Sequence, residues 1–200
     1  MNPAGPHRYF IVYKPYGVLC QFTPEQPGQT TLADVFDLPP GVYPLGRLDQ
    51  DSEGLLLLSD DPALNHRLLN PKYWHRRSYW VQVEGIPDET ALRKLREGVE
   101  ISVQGARYRT LPAQADLLGA PPPLPERHPP VRFRRAIPTA WLRITLTEGK
   151  NRQVRRMCAA AGYPVLRLVR QAIEALELGD LQPGGLRETG YPELRKLLRL

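Results

Sequence analysis

The stretch from Gly46 to Asp61 reads GRLDQDSEGLLLLSDD and sets a guanidinium, Arg47, and a carboxylate, Asp49, just ahead of a solid apolar run. On an extended chain residues two apart project to the same side, so each of the two can influence the other's charge. Asp49 is therefore the first residue to consider for nucleophilic or proton-transfer chemistry. Taken alone, an R-x-D pair is more often a surface salt bridge at a strand end. The same stretch offers Asp51, Asp60 and Asp61, which with Asp49 would suit a metal-dependent nuclease. Asp60 or Asp61 followed by Pro62 fits a helix cap better. The four histidines form no H-x-x-x-H or similar pair, and Cys20 and Cys158 lack metal-ligand spacing. No metal site is expected, and both thiols read as reduced and structural.

Rigid elements must hold these groups. Leu55 to Leu58 have no polar alternation and read as a strand buried on both faces, with Gln50 to Gly54 as a tight connection into it. Tyr9 to Tyr13 is a β-branched and aromatic strand entering the turn Lys14-Pro15-Tyr16-Gly17. Leu64, Leu68 and Leu69 mark one face of a helix after Pro62. Ser78 to Glu84 alternates as a strand, and Asp88 to Gly98 reads as a helix with Leu92 and Leu95 on its apolar stripe. Trp141 to Thr147 is a strand, Glu148-Gly149 a turn, Arg152 to Ala161 a helix closed by Gly162, and Val165 to Val169 a returning strand. From Tyr191 onward, leucines at 194, 197, 198 and 200 make a short amphipathic tail that docks or frays. Residues 119–138 carry seven prolines with Arg127, Arg132, Arg134 and Arg135, and such a stretch forms neither ladder nor helix. It reads equally as a solvated linker and as a basic arm along a phosphate backbone, with Phe133 available to stack on a base.

The 200 residues and 42% hydrophobic content suit one larger domain or two small subdomains sharing a core. A net charge of +6 favours a polyanionic partner. No apolar run approaches the ~20 residues needed to span a bilayer, and the amino terminus lacks the apolar core of a signal peptide. A cytoplasmic, monomeric protein with no membrane partner is expected.

Four ordered motifs narrow the choice. They are Lys14-Pro15-Tyr16-Gly17-Val18, the Gly46 to Asp61 segment, Ser78-Tyr79-Trp80-Val81-Gln82-Val83-Glu84-Gly85, and Glu148-Gly149-Lys150-Asn151-Arg152-Gln153-Val154-Arg155-Arg156-Met157. Together they resemble the signature of pseudouridine synthases, in the RsuA-like branch that acts on single uridines of ribosomal RNA. The resemblance runs from about residue 8 to 190. It implies an α+β pseudouridine synthase catalytic fold, with a mixed, largely antiparallel sheet, flanking helices and a central RNA-binding cleft. A single catalytic domain over 8–190 is expected, made of two α/β subdomains sharing the sheet, with the 119–138 loop inside it and a 191–200 tail. Members often carry an added amino-terminal RNA-binding module of the S4 type. Here the catalytic region begins at once, so target choice is expected from the catalytic body.

The resemblance also implies the chemistry. The bond from uracil N1 to the ribose C1′ breaks, the base turns, and it rejoins through C5, with nothing oxidised or hydrolysed and no cofactor required. Asp49 becomes the catalytic carboxylate, which could add to C6 or to C1′ or assist an elimination. Arg155 becomes the cation that holds Asp49 ionised against desolvation, and Tyr79 stacks on the extruded uracil or takes the C5 proton. Arg47 is expected to enter the space left by the flipped nucleotide. Lys150, Arg152 and Arg156 are expected to clamp phosphates at a helix start, beside Gln153. Lys14 lies with Pro15, Tyr16 and Gly17 on one wall of the cleft. Gln21-Phe22-Thr23 and Ile137 to Trp141 point within the family to large-subunit rRNA as the substrate. The competing class is a non-catalytic rRNA-binding assembly factor, and the nearest enzymatic alternative is another rRNA or tRNA site.

Overall fold

In chain order the regular elements are β1 (Tyr9–Lys14), β2 (Tyr43–Pro44), β3 (Glu53–Ser59), α1 (Pro62–Leu69), β4 (Arg77–Glu84), α2 (Glu89–Glu97), β5 (Glu100–Val103), β6 (Ala106–Arg109), β7 (Gln114–Leu117), β8 (Thr139–Leu146), α3 (Gln153–Ala160), β9 (Val165–Ile173), β10 (Leu176–Glu177), β11 (Leu186–Thr189) and α4 (Tyr191–Leu198). They come from a computed structural model that describes residues 7–132 and 134–200. Phe133, expected as a stacking residue, lies outside the described residues. The chain divides into two units, one of residues up to His75 together with Arg170–Leu200, the other of Arg76–Val169, so β9 contributes to both.

The first unit is built around β3, whose seven residues are all buried. Its lack of polar alternation follows from having both faces covered. β1 runs antiparallel to it, with Phe10 opposite Leu58, Val12 opposite Leu56 and Tyr13 opposite Leu55. Phe10, Val12, Leu56 and Leu58 share one core with Leu32, Phe36, Val42 and Leu48. On its other edge β1 pairs with β11, Tyr9 opposite Thr189. Asp61 caps α1 by accepting from Ala63 N at 2.9 Å and Leu64 N at 3.1 Å, and Pro62 occupies the first turn. Leu64 and Leu68 are buried, whereas Leu69, expected on the same face, is 44% exposed. The carboxy-terminal segment docks as a helix, with Leu194 and Leu198 fully buried and Ala175 N donating to Leu197 O at 3.0 Å.

In the second unit β4 pairs along its length with β8, from Arg77 opposite Leu146 to Glu84 opposite Thr139, and β8 pairs in turn with β7. Val81, Val83, Leu142 and Ile144 meet Leu92 and Leu95 of α2 and Val154 and Met157 of α3 in one core. Asp88 caps α2, accepting from Ala91 N at 2.8 Å. Gly98 follows it at φ +89, where an added Cβ would stand 2.3 Å from the Thr110 carbonyl oxygen. The β5–β6 hairpin and β7 were not anticipated from the sequence. Residues 119–138 form no helix or strand among the described residues, as expected. The segment is nonetheless tied down. Arg127 donates to the carbonyls of Pro129 (2.8 Å), Pro130 (3.1 Å) and Leu166 (3.4 Å), and Arg167 donates to Pro125 O at 2.9 Å.

Candidate active site

The Asp49 turn hangs between two buried leucines and the head of β3. Leu48 is seated in the core, Leu45 N donates to Leu57 O at 2.8 Å, and Ser52 N donates to the Asp49 carbonyl at 3.0 Å. Seating Leu48 leaves Arg47 exposed and Asp49 half-buried. Arg47 Nη2 reaches Gln21 Oε1 at 3.4 Å, so its guanidinium is steadied by the Gln21-Phe22-Thr23 element. The turn after β1 fastens the Asp49 turn from its other side. Gly17 N donates to Gln50 O at 2.9 Å and Gln50 Nε2 to Gly17 O at 3.1 Å, with Gly17 at φ +82, a conformation glycine adopts without steric cost.

Lys14 lies wholly inside this arrangement. Its ammonium donates to the carbonyls of Val18 (2.7 Å), Pro15 (2.9 Å) and Gln50 (3.4 Å), and no part of it is exposed. Burial pushes its pKa down to about 8, against the pull of Cys20, Glu53, Asp51 and Asp49. The expectation that Lys14 faces RNA is thereby corrected, because a fully buried ammonium shared among three carbonyls is a tie beneath the Asp49 turn. Asp60 and Asp61 serve the fold. Arg8 N donates to Asp60 at 2.8 Å and the Tyr9 hydroxyl to Asp61 at 2.8 Å. Burial raises the Asp61 pKa, but the hydrogen bonds from Leu64 N, the Tyr9 hydroxyl and Ala63 N outweigh it and hold the carboxyl below its usual value.

In the second unit Tyr79 is half-buried on β4 opposite Ile144 and packs on the same core as Val154 and Met157. α3 begins at Gln153, and Arg152 stands outside it as an exposed N-cap in the left-handed conformation, φ 52. Arg155 is half-buried, with Nη1 3.5 Å from Val165 O. One turn on, burial pushes the Cys158 thiol up to about 12 despite the opposing charge of Arg155. Gln153 is buried, donating to Glu148 Oε1 at 2.6 Å and accepting from Lys150 N at 2.8 Å. This corrects its expected place among the RNA contacts. Arg156 is half-buried, with Nη1 donating to Ser102 O and Nη2 to Asn151 Oδ1 at 3.1 Å, bracing α3 against β5. Lys150 and Arg152 are exposed.

A model of the RNA pseudouridylate synthase family matches residues 8–160, a span that holds every one of these groups. The chain belongs to this family. It is an RNA pseudouridine synthase similar to ribosomal large subunit pseudouridine synthase E of Xanthomonas campestris pv. campestris, 52% identical over 88% of this chain and 92% of that protein. Ribosomal large subunit pseudouridine synthase B of Bacillus subtilis is 36% identical over 96% of this chain and 72% of its own length. A crystal structure of a pseudouridylate synthase superposes with a TM-score of 0.77 at 28% identity, covering 98% of this chain and 76% of that one. The α+β fold expected from the motifs is the fold found.

Glu148, expected from the sequence only as part of a turn, holds the loop before α3 together. Its carboxylate accepts from Leu111 N at 2.8 Å, from Gln153 Nε2 and from the Tyr108 hydroxyl. The hydrogen bond to Glu148, then burial, raises the Tyr108 pKa to about 12, and the Lys150 ammonium sits 4.8 Å from the Tyr108 ring centre. The loop bearing Lys150 and Arg152 is thus closed through Glu148 and Gln153 onto β6 and the residue after Thr110. The signal available was the pairing of an acid and an amide, Glu148 and Gln153, at the two ends of a short basic loop. Glu148→Ala removes the acceptor shared by three donors and is expected to destabilise the protein by about 2 kcal/mol. It should also weaken RNA binding, while Glu148→Gln retains most of both. Urea unfolding and RNA titration of the two variants check this.

Proposed function

We propose that the synthase converts one uridine of large-subunit (23S) ribosomal RNA to pseudouridine. The observation that carries the substrate class is the 52% identity with the Xanthomonas campestris synthase across 92% of that protein's length. Asp49 is the catalytic carboxylate and Arg155 the cation that keeps it ionised once water is excluded. Tyr79 stacks on the extruded uracil, and its hydroxyl stands as the group to receive the C5 proton. Arg47 takes the place of the flipped nucleotide, and exposed Lys150 and Arg152 contact flanking phosphates. These roles are supported by the order of the four motifs and by a turn built to hold Asp49 rigidly, which a displaced reacting group would defeat. Residues 8–190 act as one catalytic domain of two α/β subdomains, to which 191–200 adds the docked helix. The enzyme works as a monomer in the cytoplasm, a reading in keeping with two buried, unpaired cysteines. No helix among the described residues is long and apolar enough to cross a membrane.

Deleting the gene and mapping pseudouridines across all stable RNAs tests the target. Loss of one large-subunit position, restored by the wild-type gene, is the expected result. Loss of a small-subunit or transfer RNA position instead would overturn the substrate assignment, and loss of none would favour the assembly-factor reading.

A further inference from the structure

From Pro62 to Val83 the chain has no acidic residue, while it carries Arg67, Lys72, Arg76 and Arg77. Within this run Pro71–Tyr73 makes one tight helical turn, closed by Lys72 N donating to Asn70 Oδ1 at 3.1 Å and Trp74 N to Pro71 O at 3.1 Å. Trp74 follows in the left-handed conformation, φ 53 and ψ 33, which bulky residues rarely adopt. The turn holds the indole outward, 56% exposed, where a side chain of this type would ordinarily gain from burial. Its neighbour Tyr73 is itself 38% exposed, with the Lys72 ammonium 4.7 Å and the Arg67 guanidinium carbon 5.6 Å from its ring centre. Two cations are thus fixed beside an open aromatic face in a strained backbone, and strain of this kind tends to persist where it serves a ligand.

We propose that Trp74, next to the Tyr73 ring that carries Lys72 and Arg67, is a stacking subsite for an unpaired RNA nucleotide other than the target uridine. The inference rests on the reading of RNA as substrate. A run of chain that carries four cations and no acid favours a polyanion, and an exposed π face selects one whose bases are unpaired. Lys72 and Arg67, set over the ring of the neighbouring Tyr73, supply positive charge in the same segment for the phosphates of such a strand. A protein partner would require no such absence of acids.

The test uses the full-length protein and fluorescence anisotropy of a labelled single-stranded oligoribonucleotide and of its duplex. Trp74→Ala is expected to weaken single-strand binding about 5- to 150-fold, to leave duplex binding almost unchanged, and to keep the salt dependence of affinity, because no phosphate contact is lost. Trp74→Phe retains a π face and should bind within about threefold of wild type, and Lys72→Ala should flatten the salt dependence. Unchanged single-strand binding by Trp74→Ala, an equal loss on single strand and duplex, or a Phe variant as weak as the Ala variant would each overturn the proposal. Tritium release from C5-labelled RNA is followed in parallel. Trp74-dependent binding without release by wild type would sink the uridine reaction and leave this subsite standing.

Discussion

Asp49→Asn is expected to lower tritium release from large-subunit rRNA labelled at uridine C5 by at least about 10⁴-fold, the scale seen when a reacting group is removed. Forming the new bond from C5 to C1′ sends the C5 hydrogen to solvent, so release reports isomerisation directly. Asparagine preserves the shape of the side chain and keeps the backbone hydrogen bond from Ser52 N to the Asp49 carbonyl. Stability should therefore stay within about 1 kcal/mol of wild type, and RNA binding should persist. The assay is run with EDTA present. Release by the variant at the wild-type rate would remove Asp49 from the mechanism altogether.

Lys14→Met should act on stability and on turnover together. Methionine fills the volume but leaves the carbonyls of Pro15, Val18 and Gln50 without their shared donor. Unsatisfied acceptors at about 1–3 kcal/mol each, reduced by the desolvation no longer incurred, give a net loss of about 3 kcal/mol. The Asp49 turn loses its underpinning, so turnover should fall even where the variant remains folded. A pH series separates the two states of the lysine. Its folded pKa of about 8 lies below the ordinary 10.5, so between those values the unfolded chain holds more protons than the folded one. Stability then rises with pH across that window, by up to about 3 kcal/mol for wild type relative to Lys14→Met. A constant difference between the two proteins from pH 7 to 10.5, read from urea midpoints, would show that the ammonium is not desolvated as described.

The elements legible in the sequence were those whose pattern matched their surroundings. β3 has four adjacent leucines because both its faces are covered, and α2 is bounded by Asp88 and Gly98, which cap it at either end. The β5–β6 hairpin escaped notice although its turn is Gln104-Gly105, both at positive φ, the geometry of a two-residue hairpin loop. Glutamine is an uncommon residue at that position, and the flanking strands are only four residues long. Lys14 and Gln153 were misplaced for one physical reason. Polar side chains read from sequence as solvent-facing, and only the carbonyls gathered around the one and the Glu148–Lys150 bracket around the other show that they are interior fasteners. Arg156 reads as a phosphate ligand by its position at a helix start, and one of its terminal nitrogens donates to Ser102 O on the neighbouring hairpin, invisible in the sequence pattern, while the other donates to Asn151 Oδ1.

The pairing of β1 with β11 bears on how the polypeptide matures during synthesis. The unit spanning Arg76–Val169 is one uninterrupted length of chain, whereas the unit carrying Asp49 needs strand Leu186–Thr189 and helix Tyr191–Leu198 to complete its sheet edge and its core. Chains acquire structure in the order in which they leave the ribosome. The half that bears Tyr79 and Arg155 can therefore settle once its own residues have emerged, and the half that bears Asp49 is completed only when residues 186–198 have followed. A nascent chain can thus display its basic loop to RNA before the sheet edge and core of the half that bears Asp49 are complete.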